Sequence, residues 1–154
     1  MYEFTYYQAR DVMSVEICTV RLDTSLKEIE SIFEEHDFNG LPVVDGNGRL
    51  VGMVTKLDLL KAFDFSDKLK VPAYARIMND SCERVMSRDV KAVRPETPLT
   101  RVLHDMIETR HKSFPVTLND ELQGIIARED IIRALGLAAA GILPDRLKGA
   151  DKPA

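Results

Sequence analysis

Residues 41–58 read Leu41-Pro42-Val43-Val44-Asp45-Gly46-Asn47-Gly48-Arg49-Leu50-Val51-Gly52-Met53-Val54-Thr55-Lys56-Leu57-Asp58. Two apolar runs, Leu41 to Val44 and Leu50 to Thr55, flank Asp45-Gly46-Asn47-Gly48, residues that tolerate the positive φ angles of tight turns, so the stretch predicts a β-hairpin. The second run leads into a helix over about 56–63, with Thr55 placed to cap it. Upstream, Asp23-Thr24-Ser25 marks another helix start. Leu26, Ile29, Ile32 and Phe33 then recur at helical spacing and turn Lys27, Glu28, Glu30, Glu34 and Glu35 to solvent. Ile17-Cys18-Thr19-Val20 predicts a short strand before that helix, and the unit is β-α-β-β-α.

The same text occurs twice. Val12-Met13-Ser14 returns as Val85-Met86-Ser87, Val20-Arg21 as Val93-Arg94, Thr24 and Leu26 as Thr97 and Leu99, and Pro42-Val43 as Pro115-Val116, an offset of 73 positions. After one deletion the offset is 72, and Gly52, Asp58 and Ala62 match Gly124, Asp130 and Ala134. The second copy predicts a strand at 90–93 and a helix at 98–110 with Pro98 at its first position behind Thr97. A strand at 114–118, the turn Asn119-Asp120, a strand at 122–127 and a helix at 128–135 follow. The stripe of the first of these helices is Leu99, Val102, Leu103, Met106 and Ile107.

The expected organisation is repeat 1 at 8–65, linker at 66–81, repeat 2 at 82–136 and tail at 137–154. A helical turn is expected at Ala73 to Met78, a short helix at Leu137 to Leu143 and a frayed end at Pro144 to Ala154. A unit too small to close a large core alone is expected to pack against its copy, with pseudo-twofold symmetry and a functional cleft between the copies.

Composition excludes several functions. The charged residues are mixed in sign and sum to −4, so the chain carries no basic footprint for nucleic acid. No apolar run is long enough to span a bilayer, and Met1-Tyr2-Glu3-Phe4 lacks signal-peptide character, so no membrane association is expected and the location is cytoplasmic. Cys18 and Cys82 do not correspond in the repeat and read as free thiols. His36, His104 and His111 lack the spacing of metal ligands. No nucleophile-base constellation, Walker loop or Gly-x-Gly-x-x-Gly fingerprint is present, so the sequence points to no catalytic residue and no enzyme.

The pattern with chemical content is Gly52-Met53-Val54-Thr55-Lys56-Leu57-Asp58. A hydroxyl and a carboxylate three residues apart at a helix start can hold the vicinal hydroxyls of a sugar. They can equally be a helix cap with no ligand, the commoner use of such residues. The counterpart is Gly124-Ile125-Ile126-Ala127-Arg128-Glu129-Asp130, where the hydroxyl is lost and the acid kept. That retention hints at a second use for the carboxylate.

The β-α-β-β-α repeat, Phe38-Asn39-Gly40-Leu41-Pro42-Val43-Val44-Asp45 with Gly52 to Asp58, and Phe114-Pro115-Val116 with Gly124 to Asp130 resemble the paired CBS domains, or Bateman module. The resemblance covers about residues 8–136. It implies an α/β fold of two CBS repeats and a regulatory module that binds an adenosine-containing ligand, AMP, ADP or ATP, in the cleft between them. It also implies a homodimer acting on an unknown target protein, with no cofactor required. Carried over by motif, the first site uses Thr55, Asp58, Val93, Lys112, Ser113 and Phe114. A second, weaker site uses Thr19, Val20, Gly40, Leu41 and Asp130. Lys112, with Arg110 and His111 beside it, would supply charge for phosphates where the first copy has Asn39-Gly40. Arg21, Arg94, Lys56 and Arg128 are further basic candidates. S-adenosylmethionine is the alternative ligand, and a ligand-free dimerisation or protein-interaction module is the alternative function.

Overall fold

Both expected hairpins form in the computed structural model, which describes residues 1–149. In the first, β1 (Gly40–Val44) pairs antiparallel with β2 (Leu50–Thr55), setting Gly40 opposite Thr55 and Val43 opposite Gly52. The Asp45 carboxylate organises the turn by accepting from the N–H groups of Asn47 at 2.8 Å and Arg49 at 3.0 Å. Those bonds hold its carboxyl below the usual range. In the second, β3 (Ser113–Leu118) pairs with β4 (Glu121–Ala127) across a two-residue turn. Its residues Asn119 and Asp120 have φ of 52° and 66°, the doubly positive geometry that matches the strand twist.

The strands expected at 17–20 and 90–93 shrink to single bridges, Val20 with Val43 and Val93 with Val116, both parallel. Proline is the cause. Val20 donates to the Pro42 carbonyl at 3.0 Å and accepts from Val44 at 2.9 Å. The next rung back would need a Pro42 N–H aimed at Cys18, and proline has none. Pro115 truncates the second ladder in the same way, since Val93 donates to its carbonyl at 3.0 Å and accepts from Thr117 at 2.9 Å.

The chain divides into two compact units that do not follow sequence order. One is Cys18–Val90; the other joins Met1–Ile17 to the chain from Lys91 onward. In Cys18–Val90, the helices α2 (Leu26–Glu35), α3 (Lys56–Lys61) and α4 (Tyr74–Met78) accompany the first hairpin. Its core contains Val20, Leu26, Ile29, Leu41, Val43, Val54, Met78, Cys82 and Met86. The free edge of β2 is closed by Ser87, which exchanges bonds of 2.9 and 2.8 Å with Met53. The expected turn at 73–78 is α4, anchored by Tyr74, whose ring stacks on Phe63 and whose hydroxyl donates to Glu30 at 3.2 Å.

The other unit repeats the plan with α5 (Leu99–Thr109) and α6 (Arg128–Ala139), and takes its edge segment from the N-terminus. Ser14 exchanges bonds of 2.8 and 3.0 Å with Ile125 of β4. The short α1 (Ala9–Val12) and the 3-10 turn Tyr2–Tyr6 precede it, and Phe4, Tyr7, Ala9 and Val12 enter a core with Leu99, Val102, Phe114, Ile126 and Ile131. Gly52 and Gly124 make these edge contacts possible. A Cβ on Gly52 would lie 2.9 Å from the Ser87 carbonyl oxygen, and one on Gly124 would lie 2.8 Å from that of Ser14 and 2.7 Å from the Met13 sulfur.

Several local expectations are corrected. Pro98 is the residue before the helix, with ψ of 141°, rather than its first position. The Thr97 hydroxyl accepts from Arg94 N–H at 2.9 Å, and the Tyr7 carbonyl takes the Leu99 N–H at 3.0 Å, so the helix start is fixed by tertiary contact. Ile107 is exposed, whereas Asp105 is buried on the same helix between Lys91 at 3.5 Å and Arg101 at 3.3 Å. No separate helix forms at 137–143. Instead α6 runs through Gly136 to Ala139, because burial of Ala134 and Ala138 outweighs the modest cost of one helical glycine. The end expected to fray is partly ordered: Arg146 pairs with Asp11 at 3.0 Å and bonds the Tyr6 carbonyl, and Tyr7 donates to the Ile142 carbonyl at 2.9 Å. Residues 150–154 lie outside the described residues.

Replacing Gly124 by Ala should cost about 1–3 kcal/mol of stability, because the obstructing Ser14 oxygen is backbone. Urea unfolding would show this, and limited proteolysis should cut the variant first before residue 18. A second expectation concerns Cys82, which burial pushes from 9.0 to about 11. A folded-state value above the unfolded one means that the contribution is fully present below the unfolded pKa and is lost as pH rises through the folded one. The urea midpoint should therefore fall between pH 9 and about 11, less steeply in Cys82→Ala.

Candidate functional site

The end of the first hairpin gathers the residues with chemical potential. Strand β2 runs directly into α3, so Thr55 is both the last strand residue and the helix cap, and Asp58 sits one turn on. Asp58 is 3% exposed. Its Oδ2 accepts from the Thr55 N–H at 2.9 Å and the Thr55 hydroxyl at 3.1 Å, while its own N–H donates to Thr55 Oγ1 at 3.2 Å. Its Oδ1 accepts from Lys61 Nζ at 3.0 Å and Ser87 Oγ at 3.3 Å. A carboxylate has about four lone-pair sites, so Asp58 is fully engaged. An added hydroxyl must displace a donor, and Lys61 and Ser87 are the side chains free to leave without opening the cap.

The second hairpin carries a reduced version. Asp130 is 6% exposed, accepts from the Ala127 N–H at 2.8 Å and pairs with Arg133 at 2.7 Å. Ala127 has no hydroxyl to return the bond, so only half of the capping box exists. That half explains the retained acid without a ligand: satisfying the strand-end N–H needs a carboxylate and no hydroxyl. The cap alone therefore accounts for the retained Asp130. Asp130 also keeps more open acceptor capacity than Asp58.

A family model described as CBS domain matches residues 9–64 and 82–137. This chain belongs to the CBS-domain family. The CBS domain pair of protein MJ0100, solved with 5′-methylthioadenosine and S-adenosyl-L-methionine, is 27% identical with a TM-score of 0.71, covering 85% of this chain and 97% of that one. The structure of CBSX2 with AMP is also 27% identical, with a TM-score of 0.74 and coverage of 86% and 98%. Homoserine O-acetyltransferase of Methanococcoides burtonii is 32% identical over 135 residues, 86% of this chain and 25% of that enzyme. The chain spans about a quarter or less of the length of the curated enzymes it matches. The α/β architecture of two CBS repeats, each with a small hairpin and helices, agrees with these structures.

Within the first CBS repeat, the register sets Gly40 opposite Thr55 and Leu41 opposite Val54, so Gly40, Leu41, Thr55 and Asp58 share one hairpin end. Thr19 is exposed beside the Val20 bridge. In the second repeat, Ser113 pairs with Ala127 and Phe114 with Ile126, which puts Lys112, Ser113 and Phe114 at the hairpin end that carries Asp130. Val93 bridges Val116 farther along β3. The side chains of Val20, Leu41, Val93 and Phe114 are core, so these positions can offer a ligand only their main chain.

Among the basic candidates, Lys112 is exposed and forms no ion pair among the described residues. Arg128 turns back onto the end of α5, donating to the Arg110 carbonyl at 2.8 Å, and α5 stops at Arg110 with φ of 60°. Lys56 lies 5.9 Å from the Phe33 ring centroid, a packing role. Three participants escaped the sequence reading: Ser87, Lys61 and Arg133. Lys61 and Arg133 correspond in the repeat, each three residues after its aspartate, and Ser87 belongs to the repeated Val-Met-Ser, so the signal was present. Among the described residues no three His, Cys, Asp or Glu side chains could hold a metal ion, and no helix is long and apolar enough to cross a membrane.

Proposed function

We propose that this chain is a regulatory, ligand-sensing module for an adenosine-containing nucleotide, AMP, ADP or ATP, that performs no catalysis and acts in the cytoplasm. The observation that carries this reading is the Thr55-Asp58 pair at the β2–α3 junction, in a family where a relative 27% identical holds AMP. In the unit Cys18–Val90 the proposed ligand contacts are the Thr55 hydroxyl, the Asp58 carboxylate, Thr19, Gly40 and the main chain of Val20 and Leu41. In the other unit they are Lys112 for phosphate, Ser113, Asp130 and the main chain of Val93 and Phe114. A ribose hydroxyl takes the place of Lys61 or Ser87 on Asp58.

Regulation follows only if the ligand prefers one arrangement of the module. A tenfold preference is worth about 1.4 kcal/mol, enough to tip a balanced equilibrium toward a form that a target protein reads. A second reading, S-adenosylmethionine as the ligand, is favoured by the complex of protein MJ0100. It also fits the lack of a basic residue at Asn39-Gly40, because that ligand carries no phosphate.

The module is also proposed to pair with a second copy of itself. Leu103, Met106, Ile107, Ile131, Ile132 and Leu135 line an apolar groove of about 320 Å³ between α5 and α6, with Ile107 65% and Ile132 67% exposed. Such a groove on two helices suits the same groove of another copy. A ligand-free dimerisation module would use this face alone.

Calorimetry is the test of ligand choice. Thr55→Ala copies the residue of the second repeat and should fold with a loss of about 1 kcal/mol in stability while weakening AMP about tenfold. Lys112→Ala should weaken ATP and leave S-adenosylmethionine unchanged. AMP, ATP and S-adenosylmethionine all failing to bind the wild type would remove the reading. For assembly, light scattering should give twice the 17.4 kDa chain mass, falling to one chain in Ile107→Asp/Ile132→Asp; a monomeric wild type would reject the pairing.

A further inference from the structure

The segment after α3 folds back over the first-repeat unit and borders a second, half-open cavity of about 490 Å³, within the size range of small-molecule sites. Neither Thr55 nor Asp58 lines it. Its apolar walls include Leu26, Phe65, Ile77 and Val85. Its rim carries four cations, Lys61, Lys68, Arg76 and Arg84, against two carboxylates, Asp64 and Asp80. This local positive excess stands out in a chain whose net charge is −4.

The charges are not all neutralised from within. Arg84 pairs with Asp80 at 2.7 Å and Lys61 with Asp58 at 3.0 Å. Asp64 is turned into its own loop, accepting from the Ser66 N–H at 3.1 Å and hydroxyl at 2.7 Å. Lys68 and Arg76 form no ion pair among the described residues. The walls are fixed: Leu26 N–H donates to the Asp80 carbonyl at 3.0 Å, and Tyr74 anchors α4 through Phe63 and Glu30. We propose that this cavity is a binding site for a small organic anion, an apolar body seated against Phe65 and Ile77 with a phosphate or carboxylate held by Lys68 and Arg76. An arginine fork and a lysine ammonium beside an apolar wall favour such a ligand over a neutral one of the same shape or a free inorganic ion.

The test is amide NMR on the full chain titrated with phenyl phosphate, benzoate and benzyl alcohol. Saturable shifts of Leu26, Ala62, Phe65 and Ile77 with either anion support the site, and the tighter anion identifies the phosphate or carboxylate class. Lys68→Gln/Arg76→Gln, both exposed positions, should weaken that binding by at least about tenfold. The proposal is overturned if neither anion gives saturable shifts there, if benzyl alcohol binds as tightly as the anions, or if the double variant binds like the wild type.

Discussion

The contact on which both units depend is the approach of a serine carbonyl to a strand glycine. Ser87 lies along β2 at Gly52 and Met53, and Ser14 along β4 at Gly124 and Ile125. Each two-stranded hairpin is too small to stand alone, and each gains a partner for its free edge only because no Cβ intervenes. The same contact decides how the chain is shared out. Met13 and Ser14 open the first repeat yet complete the unit of the second, whereas Met86 and Ser87 open the second and complete the unit of the first.

At the ends of these hairpins a structural device occupies the same atoms as the proposed ligand contact. An aspartate three residues into a helix satisfies the N–H at the strand-helix junction, and both repeats keep that bond. The threonine adds the reciprocal bond in the first repeat alone. What differs is the remaining acceptor capacity: Asp58 is saturated by Lys61 and Ser87, whereas among the described residues Asp130 has Arg133 alone besides the cap. The two repeats are thus unequal in a way opposite to the loss of one hydroxyl. The repeat with the proposed sugar-binding pair has no acceptor left on its aspartate until a donor leaves.

The hairpins and their turns were legible in the sequence because they rest on local causes, and the repeat because its two copies align. Asn-Asp and Asp-Gly-Asn-Gly tolerate the positive φ that Asn119, Asp120 and Gly48 adopt, apolar runs mark the hairpin strands, and capping residues mark helix starts. The 73-residue offset with its single deletion carried the family. Even the shortening of the first strand in each repeat was written there, since Pro42 and Pro115 remove the N–H that a longer parallel ladder requires.

Other features had no local signature. Asp105 is buried on α5 because Lys91 and Arg101 converge on it, so charge pairing overrode the apolar periodicity that favoured Ile107. Helix α6 ignores Gly136 because Ala134 and Ala138 pack in the core. Arg146 fastens to Asp11 across 135 positions of sequence. Local chemistry alone sets the hairpins and the pair of capping aspartates, products of steric and hydrogen-bonding rules acting over a few residues, and the repeat is read by aligning the chain with itself. Which segment closes each strand edge, how many acceptors each aspartate has left and where cations without a partner among the described residues gather emerge on folding, because those depend on groups far apart in the chain competing for the same atoms.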